Sequence, residues 1–120
     1  MNFNSDRLRI EEYNGVKIVF VDFKGLKEKQ MIDLIDDHLK LTLQTPLPFI
    51  LDLHEAYLTP NVMIHGRRFA ELTKTIVGKG ALIGLTQVKS YILKGVVFVY
   101  GVNYRSFESK NEAIDFLTKE

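Results

Sequence analysis

Residues 52–61 contain five polar side chains of the kinds that proteins use to bind ligands or to move protons. They are Asp52, His54, Glu55, Thr59 and Asn61. Carboxylates beside an imidazole can exchange protons near neutral pH, and helix N-termini attract anions. Because the segment follows a short apolar run and leads into a proline-led helix, we predict a candidate ligand-binding site at the carboxyl edge of a sheet. A solvated loop with a structural role is the simpler alternative.

Catalysis and metal binding have less support in the sequence. A metal site that used both His54 and His65 would need ligands eleven positions apart, with Glu55 beside the first, whereas zinc sites usually pair histidines about three to five residues apart. The chain contains no cysteine, which excludes disulfides, thiolate ligands and cysteine nucleophiles. Glycine-rich phosphate loops and the motifs that surround a nucleophilic serine are also missing from the sequence. We therefore expect a protein that is not an enzyme, with no catalytic residues, no metal and no cofactor.

The 120 residues have the composition of an ordinary globular protein, with 46% hydrophobic and 26% charged residues. This length predicts one domain over residues 1–120. No apolar run reaches the ~20 residues of a membrane span, and the N-terminus lacks the pattern of a signal peptide, so we expect a cytoplasmic protein. Residues 60–105 hold seven basic residues and one acidic residue, but they form no basic run. Nucleic acid is therefore not an expected partner.

The first half of the chain shows strand patterns followed by a helix pattern. Residues 7–13 alternate polar and apolar side chains, and Asn14-Gly15 favours a type I′ hairpin turn before residues 16–23. This second strand is apolar on both faces, as an inner strand is. A helical stripe begins near Lys27, and we expect its His38 to pack at the edge of the core. The helix ends before Pro46, because proline lacks the backbone donor.

The second half continues the alternation. Residues 49–53 and 81–84 are short apolar runs between breakers, which predicts two buried parallel strands. Thr59-Pro60 begins the helix between them, since threonine can cap free amides and proline suits the first helical position. Residues 103–107 predict a last strand. Ser109 then opens a capping box, in which its side chain and that of Glu112 each satisfy a backbone amide at the start of the final helix.

Residues 86–100 fit two kinds of element. Their valine-rich end, residues 96–100, has high strand propensity. The apolar residues nevertheless keep helical spacing, and Gly101 can end a helix in the left-handed conformation. We favour the helix and keep a central strand, buried on both faces, as the alternative.

The resulting order is ββαβαβαβα. Strands that alternate with helices imply parallel crossovers, so we predict an α/β fold: a mixed, mostly parallel sheet with an N-terminal antiparallel hairpin, packed with about four helices.

Three segments of this pattern resemble the STAS-like superfamily: Phe49–Leu53, Ala81–Leu85 and Phe107–Leu117. The chain is more closely similar to small bacterial proteins related to sporulation anti-sigma-factor antagonists. The resemblance covers roughly residues 7 to 118. It implies a STAS-like fold and a non-enzymatic, regulatory role that acts through protein contacts.

The phosphorylation motif of that superfamily is missing. Its classical members carry a phosphorylated serine or threonine, within an Asp-Ser-Ser/Thr-Gly core, at the start of the helix after the Leu-Asp-Leu strand. Here the segment reads His54-Glu55-Ala56-Tyr57-Leu58-Thr59-Pro60-Asn61. Thr59 is its only serine or threonine, and we predict that it acts as a helix cap and not as a phosphorylation switch.

Residues 86–100 contain more apolar side chains than one helix face can bury, which predicts a protein partner for this segment. One helix face cannot bury them all, so we expect Leu93, Val97 or Tyr100 to form an interface with another chain, and a twofold homodimer is the commonest solution. A regulatory or protein-binding module is thus the first functional hypothesis. The second is a small-molecule or lipid-binding domain with an apolar pocket between helices and sheet, as in the lipid-carrying CRAL-TRIO domains, whose architecture is similar.

Overall fold

A computed structural model describes residues 6–119, with the exception of the Val88 side chain. Within this range the elements follow the predicted order. They are β1 (Leu8–Tyr13), β2 (Val16–Asp22), α1 (Glu28–Gln44), β3 (Phe49–Asp52), α2 (Pro60–Thr73), β4 (Gly80–Ile83), α3 (Gln87–Tyr100), β5 (Tyr104–Phe107) and α4 (Lys110–Thr118). None of the helices in this part of the chain is both long and apolar enough to cross a membrane.

The strands form one mixed sheet in the order β1-β2-β3-β4-β5. The first pair is antiparallel, and the other three pairs are parallel. Asn14 and Gly15 both adopt positive φ, at 53° and 81°, between the paired residues Tyr13 and Val16. These are the backbone angles that a type I′ turn requires, so the predicted hairpin and the predicted fold class are both confirmed.

The sheet is covered unequally on its two faces. The strand β2 shows this division, because alternate side chains point to opposite faces. Val19 and Val21 pack in a core between the sheet and the helices α1, α2 and α3. Ile18 and Phe20 pack in a second core on the other face, where α4 is the helix that covers the sheet. All four side chains are buried, as predicted for an inner strand.

The Phe49 side chain lies at the centre of the three-helix core and is 1% exposed. Its ring centroid lies 5.2 Å from that of His38, 5.5 Å from that of Phe69 and 5.0 Å from that of Tyr104, all in edge-to-face geometry. Gly80 is its neighbour on β4. A Cβ atom at that position would lie 2.3 Å from the Phe49 Cζ atom, so only glycine leaves room for the ring.

Residues 86–100 are helical, and the alternative of a central strand is wrong. The Thr86 hydroxyl accepts a hydrogen bond from the Lys89 amide at 3.3 Å at the start of α3. At its end Gly101 adopts a φ of 66° and donates its amide to the Val97 carbonyl at 2.9 Å. Both ends of the helix are therefore capped by local chemistry that strand propensity does not include.

The structure also corrects which residues of α3 stay in water. Leu93 is buried, and Val97 and Tyr100 are half-buried against the same core. These three residues lie at i, i+4 and i+7, which is the inward stripe of a helix. The surplus apolar residues are instead Tyr91, Phe98 and Val99.

Candidate functional site

The polar residues predicted as one site separate into different environments. Asp52 lies at the end of β3, and its Oδ1 atom makes two contacts with His54. It accepts a hydrogen bond from the His54 backbone amide at 3.0 Å and lies 2.7 Å from the ring Nδ1 atom of His54. The His54 side chain is half exposed, at 50%. Glu55 and Asn61 are exposed and form no side-chain hydrogen bond within residues 6–119. Within the described residues, Asp52 and His54 are thus the only two of the five whose side chains are joined by a hydrogen bond.

The backbone of Gly84 fixes the position of His54. Gly84 has a φ of 84°, and a Cβ atom there would lie 2.5 Å from the His54 amide nitrogen. This close approach places the imidazole at the edge of a shallow polar groove beyond the carboxyl ends of β3, β4 and β5, where Thr86 and Glu108 are also found. Of the five predicted residues, the lining of this groove therefore includes only His54, and Asp52 lies beside it through its contact with the His54 ring.

Thr59 has a structural position at the start of α2. Its hydroxyl accepts the Val62 amide at 3.2 Å, which is the predicted cap. The same hydroxyl donates to the carboxylate of Glu28 in the first turn of α1. Because both the acceptor and the donor capacity of the hydroxyl are used inside the fold, this side chain ties two helices together.

A different feature dominates the interior, namely an apolar cavity of about 130 Å³. It lies between the sheet and the three helices that cover it. Met31 and Ile35 of α1, Val62 of α2 and Val96 of α3 are among its walls, and Phe49 lies at its floor. A cavity of this order that is lined by hydrocarbon has room for a molecule of about the size of benzene.

Four polar side chains reach the lining of this cavity among the residues that the structure describes. They are His38, Arg67, Lys89 and Tyr104. His38 and Tyr104 lie deep beside the Phe49 ring, and both are below 10% exposed. Arg67 is exposed and Lys89 half-buried, so the cationic groups lie towards solvent. The cavity walls are therefore almost entirely apolar, and the two cationic side chains lie at the outer rim.

The two inner polar groups are both buried. The Nε2 atom of His38 has no hydrogen bond to any described residue, and the hydroxyl of Tyr104 lies close to that of Thr73. Burial lowers the pKa of His38 to about 3, so the imidazole is neutral and stacks on Phe69 at 4.4 Å. Burial likewise raises the pKa of the Tyr104 phenol, with a smaller opposing effect of the nearby Thr73 hydroxyl. That hydroxyl donates its proton to the Phe69 carbonyl.

The sequence suggested an apolar pocket between helices and sheet as one of two alternatives but identified none of its walls, because these come from six elements and no local pattern joins them. The signal that did exist was His38, a titratable residue on an apolar helical stripe. The structure buries it more deeply than the predicted core-edge position, to 2% exposure. No group of three or more His, Asp or Glu side chains suited to a metal ion occurs among the described residues.

The same architecture occurs in a solved structure. A crystal structure from Shewanella loihica PV-4, an uncharacterised protein from the DUF3478 family with a SpoIIAA-like fold, matches this chain with a TM-score of 0.64. The match covers 92% of this chain and 91% of that one at 16% sequence identity, so it concerns the fold alone. No family model matches the sequence, and no curated protein matches it either. The protein is an α/β domain of the SpoIIAA-like, or STAS-like, fold, as the resemblance implied.

The cap at Thr59 leads to a first prediction. Replacing Thr59 with alanine removes the acceptor for the Val62 amide, and we expect the free energy of unfolding to fall by about 1 kcal/mol in urea titrations. Thr59→Ser keeps the hydroxyl and is the matched control, with stability close to that of the wild type. Stoichiometric phosphate on Thr59 in protein from its native cell would contradict the structural role.

The neutral imidazole of His38 leads to a second prediction. Because the folded-state pKa is about 3 and the ordinary value 6.5, the unfolded chain binds the extra proton between these limits. This group therefore leaves the free energy of unfolding unchanged above pH 6.5. As the pH is lowered from 6.5 towards about 3, the free energy of unfolding falls by up to about 1.4 kcal/mol per pH unit. Urea titrations of the wild type and of His38→Phe from pH 7 to pH 4 measure the difference.

The His38→Phe variant should lose this part of the acid sensitivity, since phenylalanine does not titrate. His54→Gln is the control, because it removes a histidine whose side chain is half exposed and not buried in the core. Parallel stability curves for the wild type and His38→Phe would show that the buried imidazole does not cause the effect.

Proposed function

We propose that this protein is a non-enzymatic binding domain that holds a small apolar molecule, or the apolar part of a lipid, between its three-helix layer and its sheet. The observation that carries the proposal is the apolar cavity of about 130 Å³. This is the second of the two functions that the sequence suggested. A cytoplasmic location remains a prediction from the sequence.

The nature of the cavity walls supports an apolar occupant. The walls are almost entirely apolar, and side chains that face a space without protein atoms lack dispersion contacts on that side. An apolar molecule inside the cavity would restore those contacts.

Filling the cavity tests this function. Val96 is half-buried on α3 and lines the cavity, whereas Val99 is exposed on the same helix and does not. We expect Val96→Trp to weaken the binding of octanol by at least about tenfold, measured by titration calorimetry. Val99→Trp is the matched control and should bind as the wild type does.

Circular dichroism of both variants shows whether the fold is kept. Equal octanol binding by the wild type and a folded Val96→Trp variant would contradict the cavity as the site. No octanol binding by the wild type at millimolar concentration would contradict the function itself.

A regulatory or protein-binding role is the second candidate, and the outer face of α3 favours it. Tyr91, Phe98 and Val99 are 70%, 88% and 68% exposed. Apolar side chains that cluster in water usually mark a contact surface. A homodimer through this face is the simplest form of this candidate, since one patch then serves both partners.

Analytical sedimentation tests the dimer. Phe98→Asp places a charge on the outer face, and we expect the variant to be a folded monomer when the wild type is a dimer at micromolar concentration. Ile64→Asp, at an exposed apolar position on α2, is the control and should leave the dimer intact. Val97→Lys should instead unfold the protein, because Val97 packs against the core. A wild-type monomer contradicts this candidate.

A further inference from the structure

The charged residues that line the cavity are all cationic. Arg67 of α2 and Lys89 of α3 are part of the lining, and no aspartate or glutamate is found among the described lining residues. We infer that the ligand is an anionic amphiphile, with an apolar tail in the cavity and a carboxylate or phosphate head at these two side chains. The inference rests on the proposed function and names the class of ligand.

Arg67 is available to such a head group. Within residues 6–119 its guanidinium has no hydrogen-bond or ion-pair partner. Two carboxylates on α1 and α2 have partners other than Arg67. Glu71, one turn further along α2, forms an ion pair with Lys74 at 3.3 Å, and the Asp36 carboxylate lies 3.4 Å from the ring Nδ1 atom of His65. A guanidinium presents its donors in a planar fork that matches carboxylates and phosphates.

Lys89 is held in place at the rim. Its Nζ atom donates to the Ala56 carbonyl at 2.6 Å, which connects the start of α3 to the loop before α2. An ammonium group has three donors, so two remain for a ligand. Because this side chain is half-buried beside apolar walls, water screens its charge less than it would on an open surface.

The inner end of the cavity excludes an alternative orientation. His38 is neutral there, since burial lowers its pKa to about 3. An anionic group beside this neutral imidazole and the Phe49 and Phe69 rings would be buried without a countercharge, which is costly. The charge of the ligand therefore belongs at the rim, and the tail belongs inside.

Four eight-carbon probes with different head groups test the inference. Octanoate and octyl phosphate are anionic, octanol is neutral and octylamine is cationic. We expect the wild type, in low salt at pH 7.5, to bind at least one of the two anionic probes about tenfold more tightly than octanol, and octylamine most weakly. Whichever anion binds better identifies the head group as carboxylate or phosphate.

Arg67→Gln removes the free guanidinium, and we expect the ratio of the anionic-probe affinity to the octanol affinity of the variant to fall from about ten to about one. Arg68→Gln is the matched control: Arg68 is the next residue on α2, is exposed and is not part of the lining. Lys89→Gln should also lower the preference for the anionic probe over octanol. Agreement between the two variants would show that the effect does not come from a structural change in one of them.

Two results overturn the inference and leave the proposed function standing. One is equal binding of octanol and both anionic probes by the wild type. The other is the same loss of anion binding in Arg67→Gln and Arg68→Gln, which would show a general effect of surface charge. If octanol and the anionic probes all fail to bind, the proposed function fails instead, so the two failures are distinguishable.

Discussion

The contact between the Phe49 ring and the bare backbone of Gly80 organises the three-helix side of this domain. Parallel pairing places the two residues beside each other on β3 and β4, and the missing side chain of glycine allows the ring to lie across the neighbouring strand. From there the ring contacts His38, Phe69 and Tyr104. One aromatic side chain thus joins α1, α2 and β5 through edge-to-face contacts, which are favourable in addition to the area that they bury.

The cavity is a consequence of this arrangement. Rigid rings with few rotamers cannot adjust to fill every space between a twisted sheet and three helices, whereas flexible side chains can. The space that remains beside Phe49 has almost entirely apolar walls, and the side chains of His38 and Tyr104 lie at its inner end. The two cationic residues of its lining, Arg67 and Lys89, belong to α2 and α3.

The sequence predicted most of the fold, because its signals are local. Asn14-Gly15, the hydroxyl cap at Thr59 and the left-handed stop at Gly101 each act over a few residues, and each is found in the structure. The candidate site was less predictable. Asp52 and His54 are near each other in both sequence and space, but Thr59 contacts Glu28, which is 31 positions away. The direction in which each apolar residue of α3 points depends on how the helix is rotated against the sheet, and spacing alone did not give that rotation.

The strand order has a consequence for how copies of this protein can meet. β1 and β5 are the edge strands of the sheet, and unpaired edges tend to add strands from other molecules. The strand β5 has only four residues, with the exposed Arg105 at its centre, and β1 carries Arg9 and Glu11, which form an ion pair at 2.8 Å. Short length and charge at the edges both discourage aggregation by sheet extension. The helical surfaces are thereby left as the places where specific association can occur without the risk of uncontrolled polymerisation.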